Sequence, residues 1–298
     1  MKPALECADC STRVFVRVLE NTDVDEKLRM KALARAMQAL ATRMEEGVAP
    51  VQFANEMFST IRNVTGVDDP FRNLKQMSNK AALSILPKTL GLMKKRKGIS
   101  ALRSACLISI SGNVIDVSTG NHSFSLRSLW DEIRRTLERG LDVDDTHAFT
   151  TDVKRGVSVF LVGDNAGEIV LDIPLIRLLR NRGIRVNYIV RGGPIANDAT
   201  LEDAYQVGLD KEVDYLGSTG QRAFGIRIRE LRQDNRSAFN ASDVILAKGQ
   251  SNYESLNWTP THKPVFFLFR VKCKPIADTL GLAVGSNVFL KKGTIRRS

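Results

Sequence analysis

The chain has little of what most readily betrays a chemistry. Its three histidines, His122, His147 and His262, show none of the short spacings of zinc ligands. Its four cysteines, Cys7, Cys10, Cys106 and Cys273, are too few to staple 298 residues with disulfides. Aromatic residues amount to 6%, which disfavours a base-stacking platform for single-stranded nucleic acid. No apolar run approaches the ~20 residues that cross a bilayer, so no membrane partner is expected. The opening MKPALECADC lacks the apolar core of a secretory signal, and a cytoplasmic location is expected. No G-x-G-x-x-G follows the first strand pattern, which argues against a nicotinamide cofactor, and there is no Walker loop.

Positive charge, by contrast, is plentiful. The net charge is +11, from 44 Lys+Arg against 33 Asp+Glu, and it favours anionic partners such as phosphorylated metabolites or nucleic acid. Much of the excess sits in KKRKG (94–98) and KKGTIRR (291–297), which also read as a solvated face and a tail. The cysteines supply a single C-x-x-C pair, Cys7 and Cys10. Zinc ribbons need two pairs and redox motifs a preceding strand, so this pair is at most a secondary thiol site. A four-sulfur centre would have to recruit Cys106 and Cys273.

Periodicity divides the chain near residue 152. Residues 1–152 read as an all-helical region, itself divisible near residue 70. Apolar residues recur at three and four in 25–47, 49–66, 73–96 and 124–140, with a break expected near Pro87. Residues 153–298 alternate short β-branched runs with helical patterns. Strands are expected at 156–164, 184–190, 212–218, 241–249 and 263–270, with a last one at 286–292, and a helix over 168–183. The fold class is therefore α/β: a Rossmann-like, doubly wound, mostly parallel sheet behind a helical N-terminal region.

Ligands of such sheets bind beyond the carboxyl ends of the strands, and each expected strand ends in polar residues. The first delivers Asp164 and Asn165, and the second Asn197 and Asp198. Ser218 and Thr219 follow the third, Lys248 and Asn252 the fourth, Arg270 and Lys272 the fifth. Asp164, Asn165 and Asp198 are hard oxygen donors suited to a divalent cation. Singly, Asn165 and Asp198 also suit helix N-caps, and the residues admit both readings. Lys248, Lys272 and Arg270 are cations on the same rim, a combination that suits a phosphoryl group. DVDDT (142–146) imitates an aspartyl-phosphatase motif but follows an amphipathic helix, so it is set aside.

Together these segments resemble the damage-control phosphatases, long described as a domain of unknown function. GDNAGEIVLD (163–172) is similar to the signature of that family, GGPIANDAT (192–200) to its second motif, AKGQSNYESL (247–256) to its third and FLFRVKCK (267–274) to its last. CADC resembles the archaeal and bacterial branch, and SGNVIDV (111–117) a further family segment. The resemblance implies a divalent ion (Mn²⁺, Mg²⁺, Co²⁺ or Ni²⁺) on Asp164, Asn165 and Asp198, and hydrolysis of sugar phosphates or damaged phosphometabolites. It places Asn113, Lys248 and Lys272 at the pocket. It departs from the family at Phe224-Gly225, where a Pro-Gly step is usual, in a loop that bounds the substrate. Two alternatives stand beside it. One is an S-adenosylmethionine-dependent carboxyl methyltransferase, as described for the eukaryotic branch, and the other a basic nucleic-acid binder.

Overall fold

The computed structural model describes residues 2–112 and 126–293; Asn113 lies outside them. Three helices come first: α1 (Leu5–Glu20), α2 (Glu26–Glu45) and α3 (Pro50–Thr65). Asp25 caps α2 by accepting from the Leu28 amide at 2.7 Å. Pro50 opens α3 where a missing N–H costs nothing, and Gly66 closes it at φ 71°. These helices bury Phe15, Ala36, Phe53 and Met57 in a second core, which Phe71 and Ala196 complete.

Next come α4 (Arg72–Met93), α5 (Gly98–Ser111), α6 (Leu126–Arg139), a two-residue strand β1 (Val143–Asp144) and α7 (Thr146–Asp152). Contrary to the break expected at Pro87, α4 runs through it. The proline removes one ladder hydrogen bond, but Ala82, Ile85 and Leu86 pack into the sheet's core and hold the turns together. The remainder is β2 (Ser158–Val162), α8 (Glu168–Leu171), α9 (Ile173–Asn181), β3 (Arg185–Val190), α10 (Leu201–Gln206), β4 (Tyr215–Ser218), α11 (Gln233–Asn240), β5 (Val244–Lys248), α12 (Gln250–Leu256), β6 (Val265–Arg270), α13 (Lys274–Leu280) and β7 (Asn287–Lys291).

The seven strands form one sheet in the order β1-β7-β6-β5-β2-β3-β4. β2 to β6 are mutually parallel and β7 is antiparallel to β6. Alternate residues serve opposite faces. Val159 and Leu161 join one core, which α4, α5, α8 and α9 cover, while Phe160 and Val162 join the other beside α12 and α13. Both faces are covered, which is why β2 and β5 read as unbroken apolar runs. The sheet and its core reach back across residue 152, through β1 and α4 to α7. DVDDT does contain a strand, β1, but β1 is parallel to β7 and so opposite in direction to the others. Its Asp144 therefore lies at the rim away from Asp164, bonded to Arg103 and Thr146.

Candidate metal and phosphate site

From β2 the chain passes to β3 and β4 on one side, then returns to β5 and β6 on the other. The crevice between the ends of β2 and β5 is thus the topological switch point of the sheet. Asp164 lies just beyond β2, and Gly249 just beyond β5. A Cβ on Gly249 would stand 2.1 Å from Asp164 Oδ2, and φ there is +80°, so only glycine fits. The loops after β2 and β3 are laced together. Asn165 and Asp198 form a bridge pair, and the Ala199 amide donates to the Asp164 carbonyl at 2.8 Å. Asp164, Asn165, Asn197 and Asp198 line one cleft of about 200 Å³ with Lys272 and, from α1, Arg17.

The capping alternative is settled by position. The N-cap of α8 is Gly167, and that of α10 is Thr200, which forms a capping box with Asp203. Asn165 and Asp198 cap neither helix, though both are buried. Asn165 Nδ2 donates to Asp164 Oδ2 and Glu168 Oε2, each at 3.1 Å, which fixes the rotation of its amide. From below, the Gly167 amide donates to Asn79 Oδ1 at 2.6 Å, and Asn79 in turn donates to Asp203. The helix expected over 168–183 is split at Asp172, with Pro174 in the first turn of α9.

Two groups organise the site: Arg191, given no role from the sequence, and the partners of Lys248. Arg191, 1% exposed at the end of β3, donates from Nε to Asp198 Oδ2 at 2.5 Å and from Nη2 to Asp164 Oδ1 at 3.5 Å. It ties the two acids together and spends Nη1 on Gly225 O and Asn252 Oδ1. Its signal was its place, a cation ending a strand between two acid-bearing loops. The second group is a buried cluster under Asn165. Lys248 Nζ donates to Glu168 Oε1 and Asp172 Oδ1, each at 2.6 Å, and Asp172 also accepts from Ser109 and from Tyr188 OH.

Several expected substrate contacts are placed elsewhere. Lys248 is fully buried and absent from the cleft wall. It shares the parity of Val244 and Leu246, so its side chain enters the face covered by α8 and α9. Arg270 shares the parity of Phe266 and Leu268 and turns to α6, donating to Glu132 at 2.6 Å and Thr136 at 2.7 Å. Asn252 is buried, donating to Lys248 O and Gly163 O. Thr219 is buried, and its hydroxyl accepts from the Gly192 and Gln221 amides. Ser218 lines a separate open depression beside Arg72. Cys106 is sealed in the sheet core, away from Cys7 and Cys10.

Comparison with known proteins gives the family. Residues 4–288 match the family described as "Damage-control phosphatase ARMT1-like domain". The chain belongs to the damage-control phosphatase family. Among the relatives, an Archaeoglobus fulgidus damage-control phosphatase is 32% identical over 97% of this chain and 98% of its own length. A Pyrococcus horikoshii damage-control phosphatase is 33% identical over 98% of both chains. A crystal structure of a P. horikoshii protein of the domain-of-unknown-function-89 family superposes with a TM-score of 0.85 at 33% identity, covering 98% of this chain and 99% of that one. Among the described residues of this family member, no helix is long and apolar enough to cross a membrane.

By the chemistry of their donors, Asp164, Asn165 and Asp198 of this damage-control phosphatase family member could hold a divalent cation. Among the described residues no three His, Cys, Asp or Glu side chains gather as a metal cage, so the set depends on the amide of Asn165 beside two carboxylates. Burial, and then the charge of Asp198, push Asp164 up to about 6 even though Lys272, Arg191 and Lys248 pull it down. A cation there would relieve that deficit. Burial likewise raises Glu168 to about 7 against the pull of Lys248. A metal held by Asp164 would compete there with protons. Affinity for Mn²⁺, measured by calorimetry, is expected to weaken by about tenfold per pH unit below about 6. A flat affinity between pH 7 and 5 would show that Asp164 does not ligate.

Proposed function

We propose that the protein is a metal-dependent phosphatase acting on phosphate monoesters of small metabolites, sugar phosphates or damaged phosphometabolites. The carrying observation is the convergence of Asp164, Asn165 and Asp198 with Lys272 and Arg17 on one cleft at the switch point. Relatives named damage-control phosphatases along the whole chain support it. A divalent ion on Asp164, Asn165 and Asp198 would supply Lewis-acid stabilisation of phosphoryl charge and activation of water.

The residues of the chain do the rest. Arg191 holds the two acids in register, and the bond from Asn165 to Glu168 aims the amide. Lys272 and Arg17 offer positive charge to the phosphate from the other walls. Both oxygens of Asp164 already accept hydrogen bonds, from Arg191 and Asn165. That suits a ligand better than a nucleophile, so water rather than Asp164 is the attacking group. The test is a panel of phosphate monoesters with Mg²⁺, Mn²⁺, Co²⁺ and Ni²⁺. Hydrolysis should vanish on chelation and return with metal, and no phospho-enzyme should be trapped by acid quench. Turnover that persists under chelation would overturn the proposal.

A further inference from the structure

Beside the catalytic cleft lies a second cavity of about 260 Å³. The two share Val14, Phe224, Gln250, Ser251, Glu254 and Lys272 as lining, so they adjoin across a common wall. Together they fall within the ~300–1,000 Å³ of ordinary small-molecule sites. Their linings differ in kind. The first presents the acids, the amides and Arg17. The second is walled by Val51, Phe53, Ala54 and Phe58 of α3 and by three thiols, Cys7 and Cys10 from α1 and Cys273 from the loop before α13. Its carboxylates are Glu6 and the shared Glu254, which accepts from Gln250 at 3.2 Å.

Burial raises the Cys7 and Cys273 thiols, so at neutral pH they carry their protons and pack as small apolar groups, while Cys10 opens to solvent. Phe224 is fixed between the two cavities. Its ring meets Phe58 edge-on at 5.0 Å, and its amide donates to Asn55 Oδ1 at 2.6 Å. A bare phosphosugar would leave this apolar, thiol-lined chamber with nothing to bury.

We propose that the chamber receives an apolar substituent of the substrate, so that the preferred phosphate esters are those of alcohols bearing a chain of several carbons. The inference rests on the phosphatase reading and narrows it. The phosphate would sit among Asp164, Asn165, Asp198 and Lys272, and the chain would pass Phe224 to lie against α3.

A homologous series tests it: ethyl, butyl and hexyl phosphate beside a hexose 6-phosphate, with the metal-loaded wild-type protein. kcat/KM should rise by about fourfold per methylene, and hexyl phosphate should exceed the hexose ester. Ala54→Trp, which fills the chamber from α3, should flatten the series and leave ethyl phosphate unchanged. Alkylation of the exposed Cys10 by iodoacetamide should be slowed by hexylphosphonate but not by ethylphosphonate. A flat or falling series in the wild type, with ethyl phosphate turned over, would overturn the chamber's role and leave the phosphatase reading standing. If no ester is hydrolysed with any metal, that reading falls. Cys10 protection then decides the chamber alone: protection upholds it, and none overturns it.

Discussion

Gly249→Ala is expected to silence the site while leaving every polar group in place. The new Cβ would stand 2.1 Å from Asp164 Oδ2 and 2.2 Å from its Cγ. The glycine cannot retreat easily, because its amide donates to Leu268 O at 3.1 Å and its carbonyl accepts from the Tyr253 amide. Either Asp164 is displaced or the β5–α12 turn opens. Alanine at φ +80°, ψ 155° adds about 1–3 kcal/mol of backbone strain. A displacement of about 1 Å at a reacting centre can cost about 10²-fold, so kcat/KM should fall at least that far, with weakened Mn²⁺ binding. Asp164→Ala, which deletes the ligand itself, sets the floor and should abolish both. Circular dichroism would confirm that each variant is folded. Wild-type Mn²⁺ affinity in Asp164→Ala would mean that the metal does not use Asp164.

Lys248→Met is expected to act on stability rather than on substrate affinity. The ammonium is the partner of both Glu168 and Asp172, at 2.6 Å each, and none of the three is exposed by more than 2%. Removing it strands two buried carboxylates, which typically costs about 3–5 kcal/mol. The cost should depend on pH with a definite sign. Glu168 is already raised to about 7 by burial, and loss of the lysine can only raise it further. A carboxyl raised in the folded state binds its proton more tightly folded than unfolded. The unfolded value is common to both proteins, so the deficit is greatest above the variant's folded value and shrinks as pH falls through it to the wild-type value of about 7. Urea unfolding of both proteins with chelator, at pH 8 and pH 5, reads this directly. A deficit under about 1 kcal/mol at pH 8, or one that does not shrink by pH 5, would return Lys248 to the role of phosphate clamp.

The contrast between the expected and observed lysine shows what the sequence could carry. The runs that became β2 to β7 were legible because a strand buried on both faces is a short apolar run, and Asp164, Asn165 and Asp198 because they end such runs. Which face the terminal residue enters depends on register. That is why Lys248 and Arg270, read as rim cations, turn out to hold α8, α9 and α6 instead. β1 was missed because two residues carry no periodicity, and its pairing with β7 is made across the whole domain. Glu168 and Asp172 were read as turns of one amphipathic helix, and their link to Lys248, about eighty residues on in the chain, exists only once the sheet has closed. Arg17 belonged to a helix with no evident tie to the strands.

The N-terminal helices share a core with Phe71 and Ala196 and meet the α/β portion also through the Arg222–Asp68 pair and the Asn55–Phe224 bonds. The residues that would carry out hydrolysis hang from the sheet, and those that would judge the size of the molecule hang largely from α1 and α3. Such a division of labour lets the two evolve at different tempos. Drift inside the helical trio can reshape what the cleft admits while the charged loops stay as they are, so one chemistry can be fitted to a succession of metabolites.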